Sequence, residues 1–199
     1  MTVSSIELLE DTVPSGERGE VGAVIARAQE GDSAALGSIF QAFSRRVVGL
    51  CRHMLRDREL AEDAAGEVFL RLRASIVTYD GSAAFERWLL RVAANHCVDL
   101  LRRRRLERRW RAEETHPADP PSPAASPLTL VLVKERRGEI GRAVASLAEE
   151  YRLPLVLRYY ADLSYEEIAA ELAIEKSQVA GRIFRAKHML RTLLEERVR

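Results

Sequence analysis

A proline-rich stretch, AEETHPADPPSPAASP at residues 112–127, constrains the fold more than any other part of this sequence. It holds five of the seven prolines and no large apolar side chain. Because proline fixes φ and lacks a backbone N–H, the stretch cannot be helical throughout, and it has little to bury. We therefore expect a flexible linker at residues 112–127 that joins two separate bodies.

The segments on both sides of this linker repeat apolar residues at helical spacing. In RELAEDAAGEVFLRLRAS, for example, Ala61, Val68 and Leu72 share one face and acidic side chains occupy the opposite face. No segment alternates apolar and polar residues with a period of two over a useful length. The pattern predicts an all-α protein with two small helical domains, at residues 21–111 and 128–199.

The net charge of +1 hides a strong segregation of charge along the chain. Residues 70–111 contain eleven basic and four acidic residues, and residues 176–199 contain seven basic and two acidic residues. Residues 135–175 are acidic, with nine acidic and five basic residues, and residues 1–20 read as a flexible acidic arm. Two basic islands in an otherwise acidic chain predict two contacts with a polyanion, although ordinary solvated helix faces are the alternative.

Several classes of site and location find no support in the sequence. Cys51 and Cys97 form no C-x-x-C pair, and Cys51 with His53 offers two metal ligands without a second pair. No nucleophile–base arrangement or glycine-rich phosphate loop is present, so we expect no catalytic residue, no metal and no cofactor. The acidic N-terminus has no apolar core, and the longest apolar run, PLTLVLV, cannot span a bilayer. We expect a cytoplasmic protein without a membrane contact.

The segment from Leu163 to Leu190 has the pattern of a helix-turn-helix. SYEE at its start is a capping box, and a break at Ala173 precedes a second helix. In that helix Val179 and Ile183, followed by Ala186 and Leu190, share an apolar face. The residues left to face a DNA major groove are Lys176, Ser177, Gln178, Arg182 and Arg185. Arg182 is the best candidate for guanine and Gln178 for adenine, while a plain helical hairpin is the alternative.

Four segments, taken in their order, resemble the extracytoplasmic-function (ECF) group of bacterial RNA polymerase sigma factors. They are RAQEGDSAALGSIFQAFSRRVVGLCRHML, AEDAAGEVFLRLR, FERWLLRVAANHCVDLLRRRR and LPLVLRYYADLSYEEIAAELAI. The resemblance covers about Val21 to Glu196. It implies that region two, at residues 21–111, binds the clamp helices of core RNA polymerase and opens the minus-ten element. It also implies that region four, at residues 128–199, binds the polymerase flap and the minus-thirty-five element.

The same resemblance assigns roles to particular residues. The polymerase-binding surface would consist of Glu62, Asp63, Glu67 and Arg71. The residues that read and melt the minus-ten element would be Asn95, His96, Asp99, Arg102 and Arg103. Opened DNA needs a cationic groove with polar and aromatic pocket residues, and Phe85 and Trp88 are the nearby aromatic residues. An anti-sigma factor is a further partner that the family implies.

The chain departs from the family pattern at several positions, and two other readings stay open. Gly66 replaces a common Gln on the polymerase-facing helix, and Glu175 replaces a common Ser or Pro before the second helix of the helix-turn-helix. Ala180 and Gly181 replace a usual Lys-Ser pair on the DNA face. These departures leave the resemblance to the family intact, and we expect them to bear on promoter sequence and affinity. The alternative functions are a helix-turn-helix regulator that acts without polymerase and a sigma-like protein without initiation activity.

Overall fold

The computed structural model describes residues 18–114 and 140–196 of the chain. Eight α-helices and one short 3₁₀ turn form the regular structure of these residues, and no strand occurs among them. The all-α prediction is therefore confirmed. The predicted arm at residues 1–20 and the predicted linker at residues 112–127 lie almost entirely outside the described residues.

The N-terminal bundle contains four helices and a 3₁₀ turn. They are α1 (Arg18–Gln29), α2 (Ser33–Leu55), α3 (Arg58–Ser75), the 3₁₀ turn (Ile76–Thr78) and α4 (Phe85–Glu114). Helix α1 begins inside the segment expected to be an arm, and α4 continues beyond the expected domain boundary at Arg111. Helix α4 can extend this far because the first proline after its start is Pro117.

Aspartate caps set the boundaries of the two central helices of this bundle. Asp32 precedes α2, and its carboxylate accepts hydrogen bonds from the backbone N–H groups of Ala34 and Ala35. Asp57 caps α3 in the same way. Between these helices Arg56 adopts a left-handed conformation with φ of 60°, which ends α2 and reverses the chain. The tight reversal packs α2 against α3.

Helices α2, α3 and α4 supply most of the core of the N-terminal bundle, and Ile25 and Ala28 of α1 and Ile76 of the 3₁₀ turn are buried with them. The fully buried residues include Val47, Leu50, Cys51 and Met54 of α2, Ala61, Ala64, Val68 and Leu72 of α3, and Leu89, Ala93 and Cys97 of α4. The alanines of α3 let the neighbouring helices approach closely. Phe85 is also buried, and it stacks edge-on against Tyr79 beside the half-buried Trp88. Both aromatic residues considered for the minus-ten pocket therefore take part in packing.

The C-terminal bundle contains the described helices after residue 139. They are α5 (residues 140–146), α6 (Glu149–Tyr159), α7 (Tyr165–Leu172) and α8 (Lys176–Glu196). The predicted capping box is present before α7, where Ser164 and Glu167 bond each other's backbone N–H groups. Ala173 takes the left-handed conformation that ends α7, with φ of 53°, although glycine is the residue best suited to it.

The two bundles contact each other along α2 with α6 and along α4 with α7. Arg152 of α6 is 3% exposed, and its guanidinium donates to the carbonyl oxygens of Leu147 (3.0 Å) and of Met54 in the other bundle (3.2 Å). Burial lowers the pKa of Arg152 to about 10. Tyr160 lies against Gly49, and its ring centroid is 5.5 Å from that of His53. We call this arrangement the closed form.

Candidate functional site

All four residues predicted to bind polymerase lie exposed on the outer side of α3. They are Glu62, Asp63, Glu67 and Arg71. Hydrogen bonds from Arg52 (2.6 Å) and Arg58 (3.0 Å) hold the pKa of the Glu62 carboxyl below its usual range. Arg71 donates to Glu67 at 3.0 Å. Among the described residues Asp63 has no ion-pair partner, so the centre of this acidic face has an uncompensated charge.

An exposed apolar groove lies beside this acidic face, between α2 and α3. Phe40 is 50% exposed and Leu70 is 82% exposed, while Phe69 contacts Phe40 edge-on with 4.9 Å between ring centroids. Sequence reasoning missed this groove. The available signal was Leu70, which lies two residues from both Val68 and Leu72 and therefore about 160° around the helix from this buried stripe. Exposed apolar surface next to charge is typical of a protein-binding site.

The five residues predicted to contact the minus-ten element lie on two different sides of α4. On one side, His96 is half-buried with its Nε2 atom 3.4 Å from the Glu67 carboxylate, and the exposed Arg103 lies two turns further along. Burial lowers the pKa of His96, which Glu67 partly opposes. This side of α4 therefore borders the acidic face of α3.

The other side of α4 carries Asn95, Asp99 and Arg102 and faces α7. With its amide nitrogen as donor, Asn95 contacts the carbonyl oxygen of Arg91 at 2.9 Å and the carboxylate of Glu171 at 3.1 Å. Arg102 donates to the backbone carbonyl of Glu171 and lies 3.6 Å from Asp99. Asn95 and Arg102 therefore contact the C-terminal bundle, and Asp99 lies next to Arg102.

Helix α8 has the buried side that its sequence pattern predicts. Val179, Ile183, Ala186 and Leu190 are at most 8% exposed. They pack against α6 and α7, which makes the last two helices a helix-turn-helix with α8 as its second helix. The orientation of α8 is therefore fixed, and its opposite side faces solvent.

The five predicted DNA contacts of α8 have different surroundings. Lys176 pairs with Glu166 of α7, and the side-chain oxygen of Gln178 accepts the backbone N–H of Glu175 at 3.0 Å, which caps α8. The Arg182 side chain is only 27% exposed and lies 4.0 Å from Glu150. The other two, Ser177 and Arg185, are exposed and make no hydrogen bond or ion pair within the described residues.

An exposed aromatic residue on α8 was missed by sequence reasoning. Phe184 is 72% exposed, one turn beyond the exposed Ala180 and next to Arg185. The signal was its register, because Val179, Ile183, Ala186 and Leu190 form the buried stripe at helical spacing and Phe184 does not fall on that stripe. Phenylalanine and alanine side chains can contact the methyl group of thymine in a major groove. The outer side of α8 can therefore make apolar as well as polar contacts with DNA.

Neither a metal-binding group nor a membrane-spanning helix is found in the described part of the chain. Residues 18–114 and 140–196 contain no group of three or more His, Cys, Asp or Glu side chains arranged to hold a metal ion. Within the same residues, no helix combines the length and the apolarity that crossing a bilayer requires. Cys51 and Cys97 are both buried free thiols, with 3.5 Å between their Sγ atoms.

Comparison with known protein families assigns both bundles. Residues 39–107 match the family model of Sigma-70 region 2, and residues 137–190 match that of Sigma-70 region 4. The two matches fall within the segments predicted to be regions two and four. They also follow each other in the same order as in the resemblance drawn from the sequence.

Two curated relatives resemble the chain over most of its length. The ECF RNA polymerase sigma factor SigW of Bacillus subtilis is 29% identical over 178 residues, which are 86% of this chain and 95% of the relative. The ECF RNA polymerase sigma-E factor of Escherichia coli K12 is 28% identical over 182 residues, which are 88% of this chain and 95% of the relative.

Two solved structures share the fold. The sigma factor RpoE of Bartonella quintana, in complex with the anti-sigma factor NepR, has a TM-score of 0.55 at 18% identity over 80% of this chain and 96% of that one. CnrH, in complex with the cytosolic domain of CnrY, has a TM-score of 0.52 at 21% identity over 87% of this chain and 96% of that one. With both sigma regions matched and ECF relatives covering most of its length, the chain belongs to the ECF group of RNA polymerase sigma factors and is a transcription initiation factor.

Proposed function

We propose that this chain binds core RNA polymerase through the outer side of α3 and directs it to promoters through α4 and α8. In this proposal region two covers residues 21–111, the linker covers residues 112–127, and region four covers residues 128–199. The observation that carries the proposal is that one bundle presents an exposed acidic face on α3 and a basic face on α4. Polymerase bound to the first face would hold the second face close to DNA.

The polymerase contact would use Glu62, Asp63, Glu67 and Arg71, with the apolar groove at Phe40 and Leu70 beside them. The acidic side chains suit an arginine-rich partner such as the polymerase clamp helices. The groove supplies apolar area that would be removed from water on binding. Charge would then guide the encounter and fix orientation, while the apolar residues would contribute affinity.

The minus-ten contact would use Asn95, His96, Asp99, Arg102 and Arg103 of α4. A protein that opens DNA pays for unstacking bases and must hold them in a polar site beside a cationic surface. Asn95 has an amide that can both donate to and accept from a base edge. Arg102 and Arg103 begin an arginine-rich segment that can bind the phosphate backbone.

The minus-thirty-five contact would place α8 in the major groove, with Lys176, Ser177, Gln178, Arg182 and Arg185 as the polar contacts. The exposure of Arg185 and Phe184 supports these two as direct contacts. Arg182 remains a proposed base contact, but its side chain must first move away from Glu150 and out of the cleft between the bundles. The polymerase flap is the expected protein contact of this region.

The proposal extends to location and to a further protein partner. Binding to polymerase and promoter DNA would take place in the cytoplasm. An anti-sigma factor is a candidate partner, because one of the structurally similar sigma factors was solved in complex with one. The rival functions are DNA binding without polymerase and polymerase binding without initiation.

Promoter opening by the chain with core polymerase tests this function against its rivals. Permanganate footprinting detects unpaired thymines, and we expect reactive thymines in the minus-ten element with the wild-type chain. Asn95→Ala should reduce this reactivity more than it reduces closed-complex binding, because Asn95 would act on unpaired bases. Gln41→Ala removes an exposed amide from α2 and serves as the matched control. Absence of opening by the wild-type chain would contradict the proposed initiation function. Normal opening by Asn95→Ala would contradict the proposed role of Asn95 in the minus-ten contact.

A further inference from the structure

The last turns of α4 present two large apolar side chains to solvent. Leu106 is 54% exposed and Trp110 is 71% exposed. They are four residues apart, so they are neighbours on the helix surface. Arg105, just before them, still pairs with Glu149 of α6, whereas Leu106 and Trp110 stay uncovered within the described residues. An exposed tryptophan beside an exposed leucine is typical of a binding surface.

This apolar pair lies in a strongly basic part of the helix. Residues 102–110 contain six arginines and one acidic residue. Four of the arginines have partners within the chain, and they are Arg102, Arg104, Arg105 and Arg108. Arg103 and Arg109 are exposed and make no hydrogen bond or ion pair with the described side chains. Each lies three residues from Leu106, so two cations border the apolar pair, a combination that suits a polyanion with apolar surface.

Leu106 and Trp110 lie on the side of α4 that carries a proposed minus-ten contact. Asp99 is seven residues before Leu106 and eleven before Trp110, which are about two and three turns of the helix. The buried Cys97 and Leu101 occupy the opposite side and face the core. DNA that meets Asp99 can therefore continue along the same side of α4 to Trp110.

The length of this side indicates which form of DNA would reach the end of α4. At 1.5 Å per residue, Trp110 lies about 16 Å beyond Asp99 along the helix axis. This length equals about five base pairs of B-form DNA, at about 3.4 Å per pair. Because every further base pair that opens adds an unstacking cost, DNA this far from the minus-ten contact should stay double-stranded. Arginines with apolar side chains suit the minor groove of such DNA.

Part of this surface also lies beyond the matched family model. The model of Sigma-70 region 2 matches residues 39–107, so Arg109 and Trp110 follow its last matched residue. From these observations, and on the basis of the proposed function, we propose that Leu106, Arg109 and Trp110 form a second DNA contact on α4, which binds the double-stranded DNA beside the minus-ten element. Arg109 contacts a phosphate, and the two apolar side chains pack in the minor groove. Because the minor groove distinguishes base pairs poorly, this contact adds affinity more than sequence preference.

Binding of the full chain, without polymerase, to a short fluorescent DNA duplex of mixed sequence tests this contact. We expect Trp110→Ala to weaken binding about fivefold, because apolar surface is no longer removed from water on binding. The dependence of log K on log salt should stay the same, since an apolar contact releases no counterion. Arg109→Gln should instead reduce that slope by about 0.9, as expected for one lost phosphate contact.

Two further variants control this measurement. Val77→Ala changes an apolar residue of the 3₁₀ turn that is 61% exposed, and it should bind the duplex like wild type. Leu106→Ala is a second variant of the contact and should show a smaller loss than Trp110→Ala. Alanine favours a helix more than tryptophan or leucine does, so α4 should remain folded in both variants. Circular dichroism melting checks this.

Several results would overturn the proposal. They are unchanged duplex affinity of Trp110→Ala and Leu106→Ala, or no binding of the duplex by the wild-type chain at low salt. A loss seen only with single-stranded DNA of the same length would also overturn it, because the contact would then be with unpaired bases. If Trp110 contacts polymerase instead, Trp110→Ala will weaken binding to core polymerase and leave the duplex affinity unchanged.

Promoter fragments bound by the holoenzyme locate the contact. Fragments that end at the minus-ten element are compared with fragments that extend by one helical turn of duplex on either side. We expect Trp110→Ala to weaken binding to one of the extended fragments and to leave binding to the short fragment unchanged. Equal losses on all fragments would contradict a position beside the minus-ten element. A wild-type holoenzyme that binds none of them would contradict the proposed function, while the duplex measurement without polymerase would still test the site.

Discussion

Helices α3 and α7 both carry acidic residues opposite an apolar side, yet the structure gives the two acidic faces different neighbours. Glu62 and Glu67 of α3 pair with arginines of their own bundle, and Asp63 points to solvent. Glu167 and Glu171 of α7 contact arginines of the other bundle. Two helices with the same acidic pattern thus differ in what they contact, and the tertiary arrangement decides whether such a face pairs within its own bundle or with the other bundle.

The largest expected effect comes from removing the buried arginine that links the bundles. Arg152→Met keeps an aliphatic side chain but deprives the carbonyl oxygens of Leu147 and Met54 of their donor. Unsatisfied buried carbonyl groups are costly, so the free energy of unfolding should fall by about 2 kcal/mol. Urea denaturation measures this, with Arg142→Met as an exposed control on α5. Equal stabilities of the two variants would mean that Arg152 does not hold the bundles together.

A smaller effect is expected on the outer side of α8, which the closed form leaves exposed. Phe184→Ala should weaken binding of the holoenzyme to a thymine-containing minus-thirty-five element by about 1 kcal/mol, since it removes an apolar contact with a base. Substituting uracil for thymine removes the methyl group and should abolish the difference between Phe184→Ala and wild type. If the variant loses the same affinity for both DNAs, Phe184 does not contact the methyl group.

The smallest expected effect is a pH dependence at the contact between the bundles. Burial lowers the pKa of His53, with a further contribution from Arg152, so the folded chain resists protonation of this ring. The unfolded chain takes up this proton as pH falls through about 6.5, and folding stability should therefore decrease below that pH. Burial lowers the pKa of His96 as well, which acts in the same direction.

His53→Gln separates the contribution of His53 from that of His96. The loss of stability between pH 7.5 and 5.5 should be smaller in His53→Gln than in wild type, as measured by thermal melting at both pH values. His188→Gln changes an exposed histidine of α8 and should behave like wild type. If His53→Gln shows the same loss as wild type, protonation of His53 does not weaken the packing between the bundles.

Local features of the fold could be predicted from the sequence because short-range patterns determine them. The helical periodicity gave the all-α class and the buried side of α8 at Val179 and Ile183. The Ser164–Glu167 capping box could be recognised because both partners lie within one helical turn. The exposed Phe184 could have been inferred by the same logic, because it does not fall on the helical spacing of Val179 and Ile183.

The contacts between the bundles could not be predicted in this way, because their partners are distant in the sequence. Arg91 and Glu167 are 76 residues apart, and no spacing rule connects them. The surroundings of Arg182 depend on the same packing, since it lines the cleft beside α4. The role of Gln178 could not be predicted for a different reason: a residue type suited to read adenine can instead cap its own helix. For Arg182 and Gln178 alike, the residue type suggested a DNA contact. The structure shows that each also has a partner within the chain, namely Glu150 for Arg182 and the backbone of Glu175 for Gln178.

The affinity of two matched variants for core RNA polymerase tests the distinction between the two acidic faces most directly. Asp63→Asn and Glu167→Gln each replace a carboxylate by an amide of nearly the same shape. We expect Asp63→Asn to weaken binding about fivefold, on the order of 1 kcal/mol, because it changes the face left free for polymerase. Glu167→Gln should bind as tightly as wild type or more tightly, because its charge is used within the chain. Weaker binding by Glu167→Gln together with unchanged binding by Asp63→Asn would contradict this account.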